Sequence, residues 1–186
     1  AAAMLANSTI KRAGKDIAAK FGCSYYSDAE PLLNDRQIDM IDICLPTFLH
    51  ERYVFRAAAC GKHVLCEKPF APSRQACMRM ACACRRAGVK LMVAQVARWF
   101  PEYIEIKRMI DRGMLGTIHM VYANRLAQHP DWTSWHRDPV KSGGGLFDLH
   151  IHDIDYLYSL FGRIHSVYAA GWKSGTGCWN HVITTV

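Results

Sequence analysis

Between residues 40 and 113 the chain repeats one cycle: a short apolar run, a polar junction, a helix-spaced stretch and a glycine. "MIDICLP" leads into "TFLHERYVFRAAAC" and Gly61. "HVLCE" leads into a stretch from Ser73 to Arg86, stopped by Gly88. "KLMVAQV" leads into Pro101 to Arg112, stopped by Gly113. Runs this short and apolar read as buried strands, Pro101 suits a first helical turn, and glycines end the helices. Strand–helix alternation with short connections demands a parallel sheet with helices on each side and strands buried on both faces. An earlier helix, capped by Ser8 or Thr9, runs to about Phe21 and stops at Gly22, and the chain is expected to open directly in it.

After Gly116 the texture changes. "TIHMVYANRLAQ" alternates like a strand with one wetter face, and Trp132, Trp135, Trp172 and Trp179 all lie beyond residue 130. "HPDWTSWHRDPVKSGGG" reads as a polar, aromatic, glycine-rich functional loop. "LFDLHIHDIDYLYSLFG" reads as one helix ending at Gly162, and "IHSVYAAGWKSG" and "CWNHVITTV" read as strands. The expected architecture is α/β: a doubly wound, Rossmann-like parallel sheet over residues 1–116, then an α+β domain with a large, open, mostly antiparallel sheet over residues 117–186. Both are expected to be incomplete. Doubly wound domains open with a strand, a glycine-rich turn and a helix, so a first unit of about 30 residues is expected to be missing. The chain also stops inside a strand.

Composition excludes several classes. The net charge is +7, but the Lys and Arg residues are scattered over helix faces, so no nucleic-acid partner is expected. No apolar run approaches the roughly 18 residues of a membrane span, and no secretory pattern opens the chain. The 8 cysteines form no CxxC pair, which argues against a zinc ribbon, and small buried thiols suit the cytoplasm.

Chemistry concentrates at strand ends and behind the glycines. Glu67-Lys68-Pro69 closes "HVLCE"; ligands of parallel sheets bind beyond the carboxyl ends of strands, and a partly dry Lys can join proton transfer. A cis Lys68–Pro69 bond suits such a turn. In "SGGGLFDLHIHDID" the glycines permit close approach of backbone to a ligand. On one helix Asp148 and His152 share a face, Asp155 follows on the same side, and His150 points elsewhere; a carboxylate beside His152 would raise its basicity and make it a general base. Read instead as a strand, His150, His152 and Asp153 form an HxH-type metal site. In "CLPTFLH", Pro46 ends a strand and Thr47 and His50 open a helix whose N–H groups suit phosphate or ribose oxygens. Gln95 and Arg98 are polar groups at the end of another strand. Trp132, Trp135, His136 and Arg137 suit either a polyol or an oligomer interface.

In order, "DMIDICLPTFLHERYVFRAAACGKHVLCEKPFA", "VAQVARWFPEY" and "SGGGLFDLHIHDID" resemble the Gfo/Idh/MocA family of oxidoreductases. The resemblance implies a nicotinamide dinucleotide domain (NAD or NADP), an α/β domain with an open sheet, and hydride transfer from a sugar or polyol carbon. It implies catalytic roles for Lys68, Asp148 and His152, with either His152 or Lys68 as base. It places Pro46, His50, Glu67, Lys68 and Gln95 along the cofactor, and Arg98, Trp135, Arg137 and His152 at the substrate. No resident metal is implied. Homodimers or homotetramers through the open sheet are implied. The chain departs from the family in lacking the GxGxxG turn and the acidic residue after the second strand, and in carrying His150 where many members have glycine and Leu45 where many have threonine. As written it is expected to bind dinucleotide poorly and to be inactive alone. Two other readings stay open: a dinucleotide- or sugar-sensing regulatory protein on this fold, and a metal-dependent hydrolase.

Overall fold

The computed structural model describes residues 3–5, 11–128 and 134–186. They form two compact units. The first holds the described residues up to Leu45, with Leu49–Glu67 and Ser73–Val93; the second holds Pro46–Phe48, Lys68–Pro72 and Ala94–Val186.

In the first unit, β1 (Ala3–Leu5) pairs in parallel with β2 (Ser24–Tyr26), Ala3 opposite Ser24, and α1 (Lys11–Phe21) connects them. Among the described residues a strand therefore precedes the helix that was expected to come first. A three-residue strand is too short to leave a periodic signal, and its pairing with residues 24–26 is what defines it. The expected cap at Ser8 or Thr9 lies outside the described residues. Gly22 ends α1 at φ +63°, in the left-handed conformation that glycine adopts without strain. A short α2 (Ala29–Asn34) follows, its first turn capped by Asp28, whose carboxylate accepts from the Glu30 N–H at 3.0 Å.

The repeating cycle then unfolds as expected. The elements are β3 (Met40–Ile43), α3 (His50–Ala59), β4 (His63–Glu67), α4 (Arg74–Arg86) and β5 (Leu91–Ala94). The sheet order is β3-β4-β5, and β3 and β4 run parallel with Ile43 opposite Cys66. Ile41, Ile43, Val64 and Cys66 are buried, as are Val54 and Ala57 on α3 and Met80 and Cys84 on α4. The strands were expected to be buried on both faces, but they alternate: Met40 is 55% exposed and Asp42 is exposed. A carboxylate within "MIDI" would be costly to bury without a partner, and that holds one face toward water. Ser73 caps α4, its hydroxyl accepting from the Ala76 N–H at 3.2 Å. The eight cysteines form no disulfide among the described residues; burial pushes the Cys66 thiol up to about 12, so it stays protonated.

The second unit contains a 3-10 turn (Val96–Trp99), α5 (Pro101–Asp111), α6 (Pro139–Ser142), α7 (Gly145–Asp148), α8 (His150–Phe161), and an antiparallel pair, β6 (Tyr168–Lys173) and β7 (Trp179–Thr185). Two expectations fail here. Residues 117–128 form no ladder among the described residues and are almost wholly exposed, because alternation alone makes no strand without a partner for its backbone. The helix expected over residues 146–161 breaks at Leu149 (φ −107°, ψ −51°), separating α7 from α8. Among the described residues no helix is long and apolar enough to cross a membrane.

Candidate functional site

The second unit builds a charged cluster around α7 and α8. Lys68 follows β4 directly, and its bond to Pro69 is cis. Its ammonium donates to the backbone carbonyl and to Oδ1 of Asp148, both at 2.8 Å, with both side chains about one-fifth exposed. Burial of this degree makes the pair costly to break from one side, which would leave an uncompensated charge. Asp148 is the last residue of α7, and the break at Leu149 separates it from His152.

His152 is half-buried, and its Nδ1 is sealed from solvent without a hydrogen-bond partner. Its pKa lies below the usual 6.5: burial is the main cause, and the positive charges of Lys68 and Arg125 add to it against the opposing carboxylates of Asp148 and Asp153. The sequence reading expected Asp148 to raise the basicity of this ring. The Asp148 carboxylate does act in that direction while also bonding Lys68, but desolvation outweighs it and His152 is held neutral. A neutral imidazole at pH 7 can still accept a proton from a hydroxyl.

Gln95, just past β5, carries the other buried side-chain polar atom without a partner among the described residues of this unit, Oε1. Arg98 lies in the following 3-10 turn, and its Nε and Nη2 donate to Asp155 Oδ2 and Oδ1, both at 2.6 Å. Arg125 grips Asp153 in the same two-pronged way, Nη2 to Oδ1 at 2.7 Å, and also donates to the Tyr103 hydroxyl at 3.0 Å. Sequence reasoning missed Arg125 and Asp153 as a pair; Arg125 sits in the stretch read as a strand, where nothing marked it.

His150 faces elsewhere, as its helical position requires. Its Nε2 lies 2.9 Å from Thr184 Oγ1, and it lines a groove of about 950 Å³ with Arg125, Asp153, Asn180 and Thr184. Neither Lys68 nor His152 lines that groove. Among the described residues no group of three His, Cys, Asp or Glu side chains could hold a metal ion.

The triple glycine serves packing. A Cβ on Gly144, at φ +70°, would lie 2.7 Å from Cys178 Cβ and 3.0 Å from Asn180 Oδ1, and the Gly145 N–H donates to that oxygen at 2.8 Å. The close approach anticipated for a ligand is made by the protein's own β7. Trp135 meets Phe48 edge-on at 6.4 Å and stacks on His136 at 3.8 Å, while Arg137 is exposed. Among the described residues no hydrogen bond or ion pair joins either to Lys68, Asp148 or His152.

In the first unit, His50 is fully buried and its Nε2 lies 2.7 Å from the Leu45 carbonyl, bracing the turn after β3. Glu67 is half-buried at the carboxyl end of β4, and its charge helps to raise the thiols of Cys44 and Cys66. Pro46 is half-buried beside the buried Thr47, in the second unit. The described residues fit the nicotinamide end of a dinucleotide, since Gln95 Oε1 offers a buried acceptor to a carboxamide N–H.

Comparison with known proteins agrees with this architecture. Residues 3–95 match the oxidoreductase family with an NAD-binding Rossmann fold, and residues 103–185 match the GFO/IDH/MocA C-terminal domain. A 2,7-anhydro-N-acetylneuraminate hydratase of Escherichia coli is 32% identical over 81% of this chain and 41% of its own length. Inositol 2-dehydrogenase 2 of Saccharopolyspora erythraea is 32% identical over 82% of this chain and 43% of its own. A levoglucosan dehydrogenase, solved with NADH and levoglucosan, superposes with a TM-score of 0.79 at 26% identity, covering 97% of this chain and 53% of that one. The chain thus spans less than half the length of these two curated relatives. With both domain types matched in order along one chain, the protein belongs to the GFO/IDH/MocA family of NAD-binding oxidoreductases.

Proposed function

We propose that the chain carries the proton-handling residues of an NAD(P)-dependent dehydrogenase that oxidises a hydroxyl-bearing carbon of a sugar or polyol. The observation that carries this reading is the Lys68–Asp148 pair in the same unit as a neutral His152 whose Nδ1 has no partner. A bound nicotinamide would supply the hydride acceptor. His152 Nδ1 takes the substrate hydroxyl proton, and its depressed pKa keeps it free to do so at neutral pH. The Lys68 ammonium, fixed by Asp148, stabilises negative charge on the substrate oxygen as the proton leaves. Gln95 accepts from an N–H or O–H of a ligand. In the first unit, Glu67 and the turn braced by His50 lie at the carboxyl ends of parallel strands, where dinucleotides bind in such sheets. Trp135 and Arg137 form the substrate rim.

The levoglucosan and inositol dehydrogenases among its relatives support the substrate class. A homodimeric or homotetrameric assembly and a cytoplasmic location belong to the same proposal. The test mixes the intact protein with NAD or NADP and a panel of inositols, anhydrosugars and aldoses, and follows reduced nicotinamide by absorbance. Turnover abolished by Lys68→Ala is the expected result; no turnover above that variant with any of them would sink the proposal.

A further inference from the structure

We propose that the Arg98–Asp155 bridge is a positioning device: it holds His152 Nδ1 and Gln95 Oε1 in register as one ligand-facing pair, without touching the ligand itself. This rests on the dehydrogenase reading for what the pair does, though not for the bridge's effect on geometry. Arg98 is therefore assigned to positioning rather than to the substrate contact that the family resemblance implies.

Arg98 and Asp155 meet through two parallel hydrogen bonds of 2.6 Å. A two-pronged fork fixes orientation as well as distance, which a Lys point charge does not. Gln95 precedes the 3-10 turn that holds Arg98, and its carbonyl accepts from the Arg98 N–H at 3.3 Å, while Asp155 follows His152 by three residues on α8. Residues three apart lie on one side of a helical segment. The bridge thus ties together the two turns that carry Gln95 and His152. Those two residues hold the only buried side-chain polar atoms without a partner among the described residues of the second unit. Buried polar atoms without partners destabilise a fold, and a ligand that donates to both recovers that loss. The ligand this selects presents a hydroxyl to His152 and a second O–H or N–H to Gln95.

Helix α8 has other anchors besides this bridge. The Tyr156 hydroxyl donates to the Tyr103 carbonyl at 2.5 Å, their rings meet edge-on at 4.5 Å, and Arg125 grips Asp153. The groups that act on the charge of His152 are Lys68 after β4, Asp148 on α7, Asp153 on α8 and Arg125 in the 117–128 stretch. Arg98 and Asp155 are not among them, so substitution there reaches His152 through position and solvent access.

The test uses the intact protein with Asp155→Asn, Arg98→Lys, and the reversed pair Arg98→Asp with Asp155→Arg. Imidazole resonances of His152 are titrated by NMR, and kinetics are measured in parallel. In each single variant the His152 pKa is expected to rise toward about 6.5. The turnover number is expected to fall about 10- to 100-fold with KM changed less than about threefold, and the reversed pair to regain most of it. An unchanged His152 titration with a lowered melting temperature would make the bridge merely structural. A raised KM at constant turnover would return Arg98 to substrate contact. The titration needs no turnover, so failure of the dehydrogenase reading and failure of the bridge are told apart.

Discussion

Lys68 reaches Asp148 twice, once through the carboxylate and once through the backbone carbonyl, at 2.8 Å each. The second contact holds the ammonium even when the carboxylate charge is removed. Asp148→Asn is therefore expected to keep the fold and lose about 10- to 100-fold in turnover, because the side-chain oxygen still accepts but no longer offsets the lysine charge. Lys68→Ala is expected to cost more, about 1,000-fold, since nothing then faces the developing negative charge on the substrate oxygen. Steady-state kinetics on both variants, with circular dichroism to check folding, decide between these outcomes.

The depressed pKa of His152 has a consequence for pH. Between its folded pKa and its ordinary value of 6.5, the unfolded chain binds a proton that the folded protein refuses. Stability is therefore unaffected by this group above about pH 6.5, falls as the pH drops below that, and levels off once the folded ring also titrates. Activity follows the same sense, with an acidic limb lying below that of a free imidazole. Denaturation midpoints from pH 5 to 8 are expected to fall less steeply toward acid in His152→Gln than in the unaltered protein. Equal slopes would remove His152 from the titration.

How much of this was legible beforehand varied with the kind of signal. The cycle from Met40 to Asp111 could be read because apolar runs, caps and glycine stops agree with one another there, as Ser73 and Gly88 do around α4. Lys68, Asp148 and His152 could be singled out as residue types at a strand end and behind a glycine run. Their partners could not. Asp148 bonds Lys68, and the break at Leu149 that ends its helix is one that no periodicity announces. Alternation over 117–128 looked like a strand, yet a ladder needs a second chain segment, and sequence pattern contains no partner. The glycines at 143–145 were read as room for a ligand, whereas Cys178 and Asn180, more than thirty residues on, take that room around Gly144.

That last contact is directly testable. Gly144→Ala puts a methyl 2.7 Å from Cys178 Cβ at a residue with φ +70°, so it meets both a steric clash and an unfavourable backbone conformation. The variant is expected to lose about 2–4 kcal/mol of stability. Gly144→Ala with Cys178→Gly removes the nearest clash but neither the close approach to Asn180 Oδ1 and the Trp179 N nor the backbone strain, so it should recover part of that loss. Denaturant titrations of both variants measure the Cys178 share; no recovery would mean that the other contacts and the conformation set the cost.

His150 offers the clearest separation of the dehydrogenase reading from a metal-dependent one. It opens α8 and lies 2.9 Å from Thr184 Oγ1, whereas the unpartnered Nδ1 of His152 is buried elsewhere on the helix. Two positions apart on a helix are about 200° apart around its axis, so these rings do not converge on one ion. Its link to Asp153 is long, 3.9 Å, and Asp153 is already held by Arg125. His150→Ala therefore removes one half-exposed hydrogen bond and should cost about 1 kcal/mol of stability. Turnover should stay within about threefold, since the group contacts neither Lys68 nor the His152 ring that takes the proton. Added zinc or a chelator should leave both proteins unchanged. If His150→Ala instead abolished turnover and chelation did the same to the unaltered protein, the catalytic centre would have to be moved from Lys68 and His152 to the groove that His150 lines.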